Sequence, residues 1–245
     1  MQRSLTNTWL RVALGVGVST LLPLLAAATT VVSSTRTISV QSTTLPLQST
    51  TSTRTTPGAF FDSVTVGTTD SSTSAQDASL TETAALLHVS GGGSTAAART
   101  ISGGTSVAHA GDSFFETNFA LLYDTPYQLT GRLNIESSVP LGGSPAFDSS
   151  LASVQLMEVG GPALYFSNTN GSFSKFGVLA GGKNYQLRIA SKIDLRTNQV
   201  FDKTNDWTIN FVASLVPEPS SNVLAGLTLG AMLVCGRLGR RRVCG

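Results

Sequence analysis

The sequence predicts an all-β fold: an antiparallel β-sandwich of jelly-roll or Greek-key type, flanked by an N-terminal signal helix and a C-terminal transmembrane helix. Three observations carry this. Short apolar runs recur through the centre of the chain at a spacing of about 8–12 residues, broken by Gly, Asn, Ser and Pro clusters. Within the clearest runs apolar and polar residues alternate with period two, which puts one face in a core and the other in water. Both cysteines, Cys235 and Cys244, lie near the C-terminus, so the central region has no disulfide staple and must depend on packed sheets.

Residues 1–28 read as a secretory signal peptide. Arg3 and Arg11 precede the apolar run VALGVGVSTLLPLLAAA, and Ala26, Ala27 and Ala28 supply the small residues that a signal peptidase needs beside its cut. An uncleaved anchor is the weaker alternative, because Pro23 sits near the end of the run.

Residues 29–58 read as a Ser/Thr-rich leader. From Thr29 to Thr56, 17 residues are Ser or Thr, too little apolar area to offset chain entropy, so an extended or partly disordered segment is expected. TRTISVQS is its one stretch able to form an edge strand.

Residues 59–215 are expected to form the sandwich. AFFDSVTVG reads as an entering strand. AQDASLTETAALLHV stays open: Leu80, Ala84 and Leu87 have helical spacing, while the flanks read as sheet. GGGSTAAARTISGGTSVAHAG fits either closely approaching strands or a loop. FFETNFALLY and YQLTGRLNIESS follow, separated by the hairpin-like Asp124-Thr125-Pro126. In the second of them Tyr127, Leu129, Gly131, Leu133 and Ile135 share one face. SVQLMEV, ALYFSN and FSKFGVLA are joined by Gly160-Gly161-Pro162 and by Asn168 to Gly171, where Asn170-Gly171 is a two-residue turn signal. NYQLRIASKI directs Tyr185, Leu187, Ile189 and Ile193 inward, and DWTINFVASLV does the same for Trp207, Ile209, Phe211, Ala213 and Leu215. Leu179, a Gly-Gly turn and Tyr185 have the spacing of a corner in which a tyrosine hydroxyl bonds back to upstream backbone, giving Tyr185 a structural role.

Charge narrows the partners. Between Thr29 and Val216 there are 10 Lys and Arg against 13 Asp and Glu, so the region is mildly acidic and offers no phosphate-neutralising stripe for nucleic acid.

Signals for catalysis are weak. His88 and His109 have no H-E-x-x-H pattern or Cys/His cluster around them and read as ordinary strand or loop residues. Gly104 to Ala108 misses a nucleophile elbow at its last position, and Ser172 to Lys175 matches S-x-x-K without the companion motifs. Glu116, Glu136 and Glu158 fall on outward strand positions, where solvation explains them. No catalytic set and no cofactor is expected. The best ligand candidate is a calcium site of Asp194, Asn198, Asp202 and Asp206, with Asn205 beside them, because these are hard oxygen donors. Arg196 and Lys203 intervene, so a solvated turn is the competing reading. Sugar stacking would fall to Phe60, Phe61, Tyr123, Tyr165 or Phe166, since Trp207 points into the core and aromatics are only 7% of the chain.

Residues 216–245 read as a tail. Val216-Pro217-Glu218-Pro219-Ser220 ends strand pairing, because proline fixes φ and cannot donate to a ladder. An uncharged, mostly apolar run follows, giving a transmembrane segment at about residues 222–236, short for the usual span. Beyond it lie Arg237, Arg240, Arg241 and Arg242, which favour the cytoplasmic side. A Pro-Glu-Pro step, an apolar run and a terminal arginine cluster, in that order, resemble a PEP-CTERM sorting domain, and the resemblance is confined to this tail. It implies recognition and cleavage by an exosortase after signal peptidase has acted, membrane attachment through the tail until then, and delivery across the inner membrane to the cell surface or an exopolysaccharide matrix. The expected role is therefore a non-enzymatic secreted surface or matrix protein. The alternatives are a carbohydrate- or calcium-binding module of that exopolysaccharide matrix and, third, a secreted hydrolase.

Overall fold

The computed structural model describes residues 29–42, 48–136, 142–143 and 146–215. Thirteen strands run through them: β1 (Thr29–Ser42), β2 (Gln48–Arg54), β3 (Gly58–Val66), β4 (Asp70–Thr83), β5 (Leu86–Arg99), β6 (Val107–Leu121), β7 (Thr125–Ile135), β8 (Phe147–Asp148), β9 (Leu151–Glu158), β10 (Ala163–Ser167), β11 (Gly171–Leu179), β12 (Lys183–Thr197) and β13 (Phe201–Ser214). They form two antiparallel sheets. The first has the order β10-β9-β12-β6-β1-β2, with β8 also paired to β12, and the second has the order β11-β7-β13-β5-β4-β3. The signal helix and the transmembrane helix expected at the two ends lie outside the described residues. Among the described residues no helix is long and apolar enough to cross a membrane.

The Ser/Thr-rich segment is corrected by the structure. Its residues form β1 and β2, and β1 lies inside the first sheet between β6 and β2 rather than at an edge. Alternation is present there, but Ser34, Arg36, Ile38, Val40 and Ser42 fill the inward positions, so only two of the five are apolar. The inward polar groups find partners: Ser34 Oγ donates to Thr55 O at 3.2 Å, and the Arg36 guanidinium donates to Thr56 O and Gly58 O. A register shift between Val31 and Ser33 leaves Val32 as the extra residue of a bulge and swaps which face the strand buries.

The open segment from Ala75 to Val89 is a hairpin of β4 and β5 turning at Ala84-Ala85. Two turns expected to be hairpin-like are not. Asp124-Thr125-Pro126 leads from β6 in the first sheet to β7 in the second, and Asn168 to Gly171 leads from β10 in the first to β11 in the second. Asn170 instead caps the end of β7, accepting from Ile135 N and donating to Ile135 O at 2.7 Å. The β9–β10 turn through Gly160-Gly161-Pro162 is a true hairpin.

Between the sheets the interior divides along several of the long strands. On β13 the inward series runs Phe201, Lys203, Asn205, then Trp207, Ile209, Phe211, Ala213. On β4 it runs Ser72, Ser74, Gln76, then Ala78, Leu80, and on β6 His109 and Ser113 precede Phe115 and Phe119. Antiparallel register places like with like, so one half is an apolar core and the other is lined with polar groups around a small cluster of Ala97, Ile193, Leu195 and Phe201. Phe119 is the hub of the apolar half, with ring centroids 5.8 Å from Tyr185 and 5.6 Å from Phe211. The compact unit that holds the strands closes at Ser214.

Candidate functional site

Tyr185 lies near the start of β12, and its hydroxyl donates to Ala180 O at 3.1 Å, five residues upstream. The bond ties the turn between β11 and β12 to the core that the ring packs into.

The four calcium candidates are not brought together. Asp194 sits on the outer face of the first sheet and pairs with Lys192 at 3.1 Å. Asp202 and Asp206 sit on the outer face of the second sheet, where Asp206 accepts from Asn134 Nδ2 at 2.9 Å. Asn198 lies in the corner between β12 and β13, and its Oδ1 accepts from Gln199 Nε2. Asn205 is buried and spends its amide on Lys192 O and Glu136 N. The stretch read as one loop is two strands in different sheets joined by a short corner, which separates its carboxylates. Among the described residues no group of three or more His, Cys, Asp or Glu side chains is placed to hold a metal ion. The sorting residues Val216 to Ser220 and Arg240 to Arg242 lie outside the described residues.

The polar half of the interior holds a cluster that sequence reasoning missed. His109 is buried, its Nδ1 is 3.1 Å from Ser72 Oγ, and its ring meets Phe201 edge-on at 5.3 Å. Burial lowers its pKa to about 4; nearby Asp70 pulls upward and Arg99 adds to the lowering. Arg99 donates to Ile101 O, Gly103 O and Thr197 O, and stands 3.6 Å from Asp70, beyond hydrogen-bond length, so that contact is Coulombic. Lys203 donates to Asp148 at 2.6 Å with both side chains buried. Burial alone would raise the Asp148 carboxyl, but bonds from Lys203 and Ser150 outweigh it and hold the group below the ordinary carboxylate range. Ser72 and His109 resemble a nucleophile and base in distance, yet both are closed off between the sheets, so the pair acts as an internal brace.

The surface offers a different feature. On the outer face of the second sheet, register aligns Phe61, Asp77, Gly92 and Thr208 in one row across four strands. The row beside it carries Ser94 and Asp206. Gly92 leaves a gap, and the result is an open groove of about 690 Å³ bordered by these six residues. A Cβ at Gly92 would stand 3.0 Å from Trp207 O and 3.6 Å from Thr208 Cγ2, within the floor of the gap. On the opposite face, a Cβ at Gly93 would meet the Trp207 indole at 2.7 Å, so that glycine is what lets the ring lie against the strand. The Phe61 ring is 83% exposed. Of the aromatics named as candidates for sugar stacking, Phe60 is buried and Tyr165 packs against Phe173 at 5.8 Å, while Tyr123 and Phe166 are exposed away from the groove. The glycine run alone suggested close strand approach; the row of partners depends on register between segments far apart in sequence.

No family model matches the chain, and no curated protein matches it either.

Proposed function

We propose that the chain is an exported, non-enzymatic surface or matrix protein, a sandwich delivered with a removable sorting tail. One observation carries the reading. β1 begins at Thr29, the residue that follows the expected signal-peptidase cut, and β13 ends at Ser214, with only Leu215 and Val216 before Pro217. A cut at either expected point therefore leaves every ladder among the described residues intact. A sandwich without cysteines suits an extracytoplasmic setting that does not depend on redox state. The resemblance of residues 216–242 to a PEP-CTERM signal stands on its three-part order of Pro-Glu-Pro, apolar run and arginines. Exosortase and signal peptidase are then transient partners, and the finished protein sits at the cell surface or in the exopolysaccharide matrix. The finer Greek-key or jelly-roll description is part of this proposal, supported by the connections β5–β6, β6–β7, β10–β11, β11–β12 and β12–β13, each of which passes from one sheet to the other.

Replacing Pro217, Glu218 and Pro219 together by alanine, in a host with an exosortase, tests the tail. The expected result is a full-length chain retained in the membrane fraction. Undiminished release of a shortened product from the variant would contradict the reading.

A further inference from the structure

We propose that the groove over Gly92 binds a neutral glycan chain, seating one hexose over Gly92 between Asp77 and Thr208, with the Phe61 ring beside Asp77. The proposal deepens the surface and matrix reading by naming what the sandwich holds. The row reads aromatic, carboxylate, bare backbone, hydroxyl: Phe61, Asp77, Gly92, Thr208. Asp77 and Thr208 are two strand spacings apart, about 9–10 Å, the width of a sugar ring with its hydroxyls. The negative face of an exposed phenyl ring attracts the polarised C–H bonds of a pyranose. Sugar hydroxyls donate to the carboxylates of Asp77 and Asp206, bonds strengthened by the acceptor's charge, while the hydroxyls of Thr208 and Ser94 rotate to donate or accept as needed.

The same geometry disfavours other ligands. No Lys or Arg is among the described residues that border the groove, so a uronate or phosphate polymer meets carboxylates without a countercharge. Over the floor of the groove an extended peptide finds no open strand edge, because β4, β5 and β13 are each paired on both sides; β3, which carries Phe61, is the edge of the sheet. Phe61 is mostly outside the protein, and Asp77 is exposed on the same face, so neither is held there by packing.

Isothermal titration of the purified full-length chain with cellohexaose, mannohexaose and, as the anionic control, polygalacturonate tests this. Saturable binding of at least one neutral probe is expected, weakened about tenfold or more by Phe61→Ala and measurably by the near-isosteric Asp77→Asn. Both variants should melt with the parent, because both side chains are outside the core. Absence of saturable binding of either neutral probe up to about 5 mM, binding indifferent to both variants, or tighter binding of polygalacturonate would overturn the proposal. Because the titration is read on purified protein, its failure leaves the sorting reading standing, and a failure of sorting leaves the groove standing.

Discussion

His109 is the residue at which acid should act first. Its imidazole is neutral in the folded chain with a pKa of about 4, while the unfolded chain titrates near the ordinary 6.5. Between those values the unfolded state binds the extra proton, so stability from this group is fully present above about pH 6.5 and is lost as pH falls toward 4, by about 3 kcal/mol. Asp148 works in the same direction, since a carboxyl held below its usual range also loses its contribution on protonation. Asp112 opposes them, because burial raises its carboxyl despite Lys192 and Arg188. Urea denaturation from pH 7 to 4 should show the decline, and His109→Leu should flatten most of it while keeping an apolar contact for Phe201. An unchanged slope in the variant would remove His109 as the cause. Arg36 is a charged residue held inside: it is fully buried, burial lowers its pKa with Arg54 adding to the effect, and its bonds to two carbonyls fasten the turn into β3.

Among the elements, β1 separates this fold from the one its composition suggests. A strand stretch paired on both sides, as β1 is over Arg36 to Ser42, must resist opening, so the amides of Ile38 and Val40 should exchange as slowly as those of Ile209 and Phe211 in β13. Exchange mass spectrometry on the full-length chain checks this, and fast exchange across residues 36–42 would return the segment to the status of a leader. The strands that were legible in the sequence, β7, β12 and the second half of β13, are those whose inward positions are Leu, Ile, Phe, Tyr or Trp. In β1, β4 and the first half of β13 the inward positions are taken by Ser, Gln, Arg, Lys and Asn, so period two is present in geometry and invisible in hydropathy. The turn signals at Asp124 to Pro126 and at Asn168 to Gly171 each mark a connection, although Thr125, Pro126 and Gly171 already belong to the strands that follow. Which sheet the next strand joins is a non-local choice that the turn residues do not encode. The groove was hidden for the same reason: Phe61, Asp77, Gly92 and Thr208 are scattered along the chain, and only the register of β3, β4, β5 and β13 makes them neighbours.

For the whole molecule, the interior combines an apolar half that supplies burial with a polar half in which some buried groups are matched, as at Asp148 and Lys203, and others, such as the Gln76 amide and His109 Nε2, have no hydrogen-bond partner among the described residues. Such a polar half contributes little net stability while restricting how the sheets can align. Among the described residues the strands run from Thr29 to Ser214, so a cut at either expected processing point removes no residue of these strands. The central claim is that this sandwich is cargo and that the residues beyond it are a handle removed in transit. Intact-mass spectrometry of the protein recovered from the surface of its native host measures that directly. The account predicts a chain that starts at Thr29 and ends near Pro219, and a surface form that still carries Arg242 would contradict it.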